Sequence, residues 1–285
     1  MIVVTGATGQ LGRLVIEQLL EKLPAQQIVA AVRSPDKAAD LKALGVQVRQ
    51  ADYNQPATLD SALQGAEKVL LVSSSEVGKR LPQHQAVIDA AQRAGTALLV
   101  YTSLLHADRS PLALGEEHAG TERYLQASGV PFVVLRNGWY TENYAAGIPT
   151  ALQLGSLYGA AGEGRISSAS RADYAAAAAA VLLTAQPPIG EHIELGGDTS
   201  YTLAEFAAEA ARLTGQPLPY VDLPQADYQA ALLKAGLPAI YAELLADSDV
   251  GAAQGGLFDD SRALSRLIGR PTTPWQQTLA SALQG

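Results

Sequence analysis

The sequence predicts an α/β fold, a doubly wound parallel sheet followed by a smaller, mainly helical C-terminal portion. Three observations lead there. Short apolar runs alternate with amphipathic stretches through the first half of the chain, as strands buried on both faces and joined by crossover helices do. A glycine-rich turn follows the first run directly. After Arg136 the alternation loosens.

Taken in order, Ile2-Val3-Val4 is a β-branched strand, and a helix from about Leu11 to Leu23 carries Leu11, Leu14, Val15 and Leu19 toward the core. Ile28 to Val32 is the second strand. Ser34-Pro35-Asp36 starts a helix, with serine as cap, proline at the first helical position and aspartate at the positive end. Gly45 closes it, and Val46 to Val48 begins the third strand. Lys68 to Val72 is the fourth, a helix from about Gln83 to Ala94 stops at Gly95, and Ala97 to Tyr101 and Val130 to Leu135 are the fifth and sixth. The right-handed crossover rule then narrows the sheet to the Rossmann type.

Further on, Gly155 to Arg165 reads as loop or hairpin, and Arg171 to Leu183 as a helix whose six consecutive alanines suit close packing. His192 to Leu195 is a strand returning to the sheet edge. Thr202-Leu203-Ala204-Glu205 is a capping box, with Tyr201 and Phe206 as its hydrophobic staple. Helices are expected at Asp227–Ala235, Ala239–Ala246 and Pro274–Leu283, and Gly251 to Gly256 reads as mobile. The expected division is a dinucleotide-binding domain over 1–150 and a substrate portion over 151–285, without a clean boundary.

Composition excludes several classes. Hydrophobic residues make up 48% of 285, enough for a full core. Lys and Arg number 20 against 28 Asp and Glu, a net charge of −8, which argues against nucleic acid or an anionic membrane as partner. No apolar run approaches the roughly 18–20 residues of a membrane span, and no secretory signal is visible. With no cysteine, disulfides, thiolate metal sites and cysteine nucleophiles are out, and the cytoplasm is the expected compartment. His84, His106, His118 and His192 are scattered, so no metal site is expected. No Gly-x-Ser-x-Gly elbow points to a hydrolase.

The turn Thr5-Gly6-Ala7-Thr8-Gly9-Gln10-Leu11-Gly12 carries the first chemical signal. Gly6 permits the tight turn, Gly9 lets the backbone approach a pyrophosphate, and Gly12 lets helix and strand pack closely. The helix start offers free N–H groups and a positive dipole. Gly6, Ala7, Thr8, Gly9, Gln10 and Leu11 are therefore expected to hold a dinucleotide. At the end of strand two, an NAD site places an acid on the ribose 2′-OH. Here stand Arg33 and Ser34, which suit a 2′-phosphate and so NADP. Asp52-Tyr53 reads either as adenine contacts or as an acidic turn before Asn54-Gln55-Pro56.

With these residues in view, the chain resembles the NmrA-like atypical short-chain dehydrogenases. Longer blocks, Ser73 to Gly78, Tyr101 to Asp108, Leu135 to Tyr140, Ala246 to Gly251 and Gly255 to Asp260, resemble its NAD(P)H:quinone oxidoreductase type 2 branch, to which triphenylmethane dye reductase is related. The resemblance covers nearly the whole chain. It implies NADPH-dependent two-electron reduction of a small quinone. It also implies that Ser73, Ser74 and Ser75 line the nicotinamide ribose, that Asn137, Gly138, Trp139, Tyr140, Thr141 and Glu142 wrap the nicotinamide, and that Arg171 closes the site. Trp139 and Tyr140 read either as walls for the quinone or as core.

Many short-chain dehydrogenases carry a Tyr-xxx-Lys pair for proton delivery. No tyrosine here is followed by lysine four residues on. His118, and Tyr101 and Ser103 at the end of strand five, are the candidates for orienting a carbonyl oxygen; His118 reads equally as a packed histidine oriented by Glu122. Ketone reduction makes an alkoxide with a conjugate-acid pKa near 16, comparable to water, and needs a positioned acid. Quinone reduction makes a phenolate-like oxygen with a conjugate-acid pKa near 10, which solvent can protonate. The missing pair thus agrees with quinone reduction. It also fits an NADP(H)-binding redox sensor without turnover, the alternative reading, while homo-oligomerisation stays open.

Overall fold

The structure is a computed structural model and describes residues 1–284. Nine strands form two sheets: β1 (Ile2–Thr5), β2 (Ile28–Val32), β3 (Gln47–Gln50), β4 (Lys68–Leu71), β5 (Leu98–Leu104), β6 (Phe132–Asn137), β7 (Leu157–Gly159), β8 (His192–Leu195) and β9 (Tyr220–Asp222). The larger sheet has the order β3-β2-β1-β4-β5-β6-β8. Every pairing from β3 to β5 is parallel, with Val4 opposite Ala30 on one side and Leu70 on the other. The order reverses at β1, so β1 and β4 diverge at the switch point where doubly wound sheets bind ligands.

Among the described residues thirteen α-helices accompany them: α1 (Gln10–Leu20), α2 (Ala39–Ala43), α3 (Pro56–Ala62), α4 (Arg80–Arg93), α5 (Leu114–Ser128), α6 (Thr141–Ala145), α7 (Ile148–Leu154), α8 (Arg171–Leu183), α9 (Leu203–Thr214), α10 (Gln225–Lys234), α11 (Ala239–Ala253), α12 (Ala263–Ile268) and α13 (Trp275–Gln284). None is long and apolar enough to cross a membrane among the described residues.

The chain divides into two units. The first joins Met1–Leu104, Glu117–Arg136 and Arg171–Ile193; the second joins Leu105–Glu116, Asn137–Ser170 and Glu194–Gly285. Residue 150, where the sequence suggested a division, lies within the second. In the first unit, Val3, Val29, Val69, Leu71, Leu99, Tyr101 and Val134 form the core with Leu59, Val87, Ile88 and Leu125 from the helices. On the other side α8 packs against α1. Its alanines Ala175, Ala177, Ala178 and Ala179 are buried, which lets the two helix backbones approach. Lys68 Nζ donates to the carbonyls of Leu182 and Thr184 at 2.7 and 3.0 Å, closing the end of α8 where a cation is favourable.

In the second unit Tyr201, Phe206 and Trp275 pack ring on ring at 4.7–5.6 Å. The capping box forms as expected, with Thr202 and Glu205 bonded reciprocally. Several other elements differ from the sequence reading. The first helix ends at Leu20 because Lys22 and Leu23 turn back onto the Leu19 carbonyl ahead of Pro24. Pro35–Ala38 is a 3-10 turn, and the Ser34 side chain makes no cap bond. β5 and β6 run on to Leu104 and Asn137, so Tyr101 and Ser103 lie inside a strand rather than at its end. α3, α7, α12, β7 and β9 were not foreseen; β7 and β9 pair in parallel and are three residues each, too short for a period to show. The stretch from Gly251 begins as helix: α11 continues to Ala253, and Gly251 is so close to Leu112 that a Cβ would stand 2.5 Å from its Cδ1.

Candidate active site

In the first unit, a cavity of about 630 Å³ opens beyond the C-terminal ends of β1, β2 and β4. Gly6, Thr8, Gly9, Arg33, Ser73, Ser74 and Ser75 line it, so three separate sequence expectations meet in one place. Ala7, Gln10 and Leu11 belong to the same turn but lie off the lining; Ala7 and Leu11 are buried beneath it.

The turn is built by its glycines. Gly6 has φ +59°, the left-handed region. A Cβ on Gly12 would stand 2.6 Å from the Gly6 carbonyl oxygen, which no side chain allows, whereas one on Gly9 would meet that oxygen at 3.1 Å. Gly12 thus serves packing and Gly9 serves access. The first turn of α1 has no acidic residue and no side-chain cap, leaving its N–H groups and dipole for an anion.

Arg33 reaches the rim with its side chain 69% exposed, 3.4 Å from Glu76. An exposed pair of this kind contributes about 0–1 kcal/mol, so the guanidinium is readily released to a phosphate. Lys37, not foreseen as a site residue, adds a second cation to the same rim, beside Ser34. Asp52 and Tyr53 also line the cavity, but both are tied into the fold. Asp52 accepts from the Asn54 N–H at 2.9 Å and Gln55 Nε2 at 3.1 Å. Tyr53 Oη sits 2.6 Å from Thr5 Oγ1 and 2.9 Å from the Val72 carbonyl.

The Ser73–Ser75 loop is held by residues outside the expected site. The Ser73 N–H donates to Thr102 Oγ1, and the Ser74 N–H to His84 Nε2, both at 2.9 Å. Arg80 Nε donates to the Ser74 carbonyl at 2.7 Å, and the Ser74 hydroxyl donates to Gln83. Arg80, Gln83 and His84 share one face of α4, and that i, i+3, i+4 spacing of polar residues pointing inward was the available signal. His84 is fully buried. Nε2 accepts, so Nδ1 carries the proton, 3.0 Å from Thr121 Oγ1. Burial, and then the charge on Arg80, lower its pKa to about 3.

Tyr101, Ser103 and His118 come together between β5 and α5, none exposed beyond 5%. Tyr101 Oη and His118 Nδ1 are 2.7 Å apart. Burial raises the tyrosine pKa and lowers that of His118 well below its ordinary value. The Ser103 hydroxyl donates to Glu122 at 2.6 Å, and Glu122 is ion-paired with Arg136 at 2.7 Å. The three do not line the described cavity.

Arg171 is the first residue of α8. The remaining expected residues, 137–142, belong to the second unit. There Gly138 N–H donates to the Leu195 carbonyl and Thr141 N–H to that of Ala169. Thr141 Oγ1 lies 2.7 Å from Ser168 Oγ. Asn137 stands out: at 4% exposure, neither its amide nitrogen nor its oxygen has a hydrogen-bond partner. A buried primary amide left this way costs free energy that a ligand with complementary groups recovers. In the first unit the glycine turn and the basic rim fit the phosphates of a pyridine dinucleotide.

Residues 6–185 match the model of a family described as NAD(P)H-binding. The chain belongs to that family. Within it, the chain is 56% identical to quinone oxidoreductase 2 of Escherichia coli (strain K12) over 98% of each chain. It superposes on the crystal structure of the Escherichia coli NADPH-dependent quinone oxidoreductase complexed with NADPH with a TM-score of 0.97, covering 100% of both chains. The triphenylmethane reductase of Citrobacter sp., complexed with NADP(H), is 34% identical with a TM-score of 0.94, over 99% of this chain and 100% of that one. The resemblance read from the sequence blocks is thereby borne out: the chain is of the type 2 quinone oxidoreductase branch.

Proposed function

We propose that this protein is an NADPH-dependent oxidoreductase that reduces quinones by two electrons to hydroquinones. The observation that carries the reading is the glycine turn with Arg33 and Lys37 in one cavity, in a chain 56% identical to a quinone oxidoreductase over nearly its whole length. NADPH supplies the hydride. Gly6 to Leu11 hold the pyrophosphate against the α1 N-terminus, and Arg33, Ser34 and Lys37 take the 2′-phosphate. Ser73 to Ser75 support the ribose from the loop that Arg80 and His84 fix. Asn137 to Glu142 orient the nicotinamide, Asn137 through its unsatisfied amide, and Arg171 closes the site. The compartment is the cytoplasm.

The likeness to a quinone oxidoreductase favours catalysis over sensing without turnover. Purified protein should consume NADPH on addition of 1,4-benzoquinone, above the spontaneous rate; binding of NADPH with no such turnover would overturn the reading. Arg33 gives a sharper expectation. Hydrogen bonds to charged groups contribute about 1.5–3 kcal/mol, so Arg33→Ala should lower the preference for NADPH over NADH by roughly 10- to 150-fold. Fluorescence titration with both cofactors measures it, and an unchanged ratio would remove Arg33 from the site.

Proton supply gives another. The phenolate-like product needs no strong acid, and His118 is buried and held neutral. Tyr101→Phe and His118→Ala should each lower kcat by less than about 100-fold, the low end for acid catalysis. A loss beyond about 10⁴-fold in either variant, with NADPH affinity intact, would make that residue the proton donor.

A further inference from the structure

Glu76 lies in the first unit, on the loop between β4 and α4, and lines the cofactor cavity. None of the binding roles assigned above uses it. The loop presents it from a held turn. The Glu76 N–H donates to Ser74 Oγ at 3.1 Å, and its carbonyl accepts from the Lys79 N–H at 3.1 Å. Behind the turn, Glu117 of α5 accepts from the N–H groups of Gly78 and Arg80 at 3.0 and 3.2 Å and pairs with the Arg80 guanidinium at 3.0 Å. From this anchored turn the carboxylate reaches the residue just past β2. Its Oε1 stands 3.4 Å from Arg33 Nη1, and its Oε2 stands 3.6 Å from Lys79 Nζ. The other acid of the lining, Asp52, is taken up by Asn54 and Gln55. Glu76 is therefore the cavity's own anion at the cation expected to take the 2′-phosphate.

We propose that Glu76 stands in for the cofactor's 2′-phosphate: it pairs with Arg33 when no phosphate does, competes with the entering phosphate for that guanidinium, and so limits how far NADPH is favoured over NADH. A phosphate monoester carries a charge of about −1.5 to −2 near pH 7, and two anions on one arginine repel each other. To admit the phosphate, Glu76 must let Arg33 go, and Lys79 offers the carboxylate a second cation. NADH brings a hydroxyl in place of that phosphate and leaves the Glu76–Arg33 pair whole. The pair thus weakens binding of the phosphorylated cofactor alone. An exposed ion pair is worth up to about five-fold in an equilibrium, enough to measure and too little to reverse the preference. What the competition gives is exchange: as the oxidised cofactor leaves, a carboxylate on the same loop is ready to retake the arginine. This rests on the NADPH part of the reading above and not on the quinone.

Calorimetry with NADP⁺ and NAD⁺, which differ only in the 2′-phosphate, tests it with neither acceptor nor turnover. At low ionic strength Glu76→Gln should bind NADP⁺ roughly 3- to 6-fold more tightly than the wild type, and NAD⁺ within about two-fold of it. A loop that had merely shifted would change both together. The glutamine keeps the backbone bonds of the turn and alters only the exposed pairs, so the fold is retained. The gain should shrink in about 0.5 M salt, which screens exposed charges. In an Arg33→Ala background the same substitution should gain less than about two-fold, because the contested cation is gone. Unchanged or weaker NADP⁺ binding by Glu76→Gln, an equal gain for NAD⁺, or the full gain without Arg33 would each overturn the proposal. Equal binding of both cofactors by the wild type would take the 2′-phosphate away from Arg33, and the proposal with it. A protein that shows the expected pattern and fails to reduce 1,4-benzoquinone would lose the quinone reading and keep this one.

Discussion

Gly9→Val should lose at least about 100-fold in NADPH affinity while keeping a native circular dichroism spectrum. Gly9 lines the cavity and caps α1 with φ −76° and ψ 165°, an extended conformation open to valine. Its new Cβ would meet one backbone oxygen at 3.1 Å, a contact relieved by a shift of a few tenths of an ångström. The branched methyls would then occupy the space of the pyrophosphate and hold it off the α1 N–H groups. Losing two charge-assisted bonds of about 1.5–3 kcal/mol each gives the stated factor. Gly12→Ala should fail differently. Its Cβ cannot coexist with the Gly6 carbonyl, so the expected cost is roughly 1–3 kcal/mol of stability. Fluorescence titration and urea unfolding on both variants separate the two roles. Normal NADPH binding by Gly9→Val would mean that the phosphates lie elsewhere.

The second large effect is acid destabilisation through His84. Its folded pKa of about 3 lies below the ordinary 6.5, so the unfolded chain binds the extra proton between those values. Stability is therefore full above about pH 6.5 and falls by about 1.4 kcal/mol for each pH unit below it. By pH 4.5 the loss from His84 is about 3 kcal/mol, a large share of a typical 5–15 kcal/mol. His118, also depressed by burial, acts with the same sign. Asp249, a buried carboxylate, opposes them: burial raises its pKa to about 6, which returns about 2 kcal/mol between pH 6 and 4.5. The clean measurement is thus the difference between wild type and His84→Gln in urea unfolding across pH. The variant should lose about one proton from the slope between pH 6 and 4.5; identical slopes would show that His84 titrates normally. In the folded protein His84 stays neutral over that range, so its bond from the Ser74 N–H, and with it NADPH affinity, should hold while stability falls.

Much of the first unit was legible because β1, β2, β4, β5 and β6 are four to seven residues long and, Lys68 apart, buried throughout, and because Gly6 and Gly12 are demanded by backbone geometry alone. Arg33 was legible because strand order and charge sufficed to place it. Lys37 was not, since a lone lysine two residues after Pro35 carries no motif of its own. His84 and Arg80 were not, because their partners are backbone atoms of Ser74, and nothing in a sequence says which loop a helix face will meet. Glu76 escaped for a related reason. It lies in a block that carried the family resemblance, but its partner Arg33 stands 43 residues earlier.

The three-part make-up of the first unit bears on how the chain comes off the ribosome. Val15, Ile16 and Leu19 of α1 are buried, and α8, which begins at Arg171, packs on that helix. Synthesis runs at about 5–20 residues per second, so α1 waits on the order of ten seconds for its cover. A nascent chain stopped near residue 150 leaves bare the face of α1 that α8 covers and leaves Lys68 without the Leu182 and Thr184 carbonyls. The half of the protein that is first in sequence is thus not first to be finished, and its early life is one in which chaperones have something to hold.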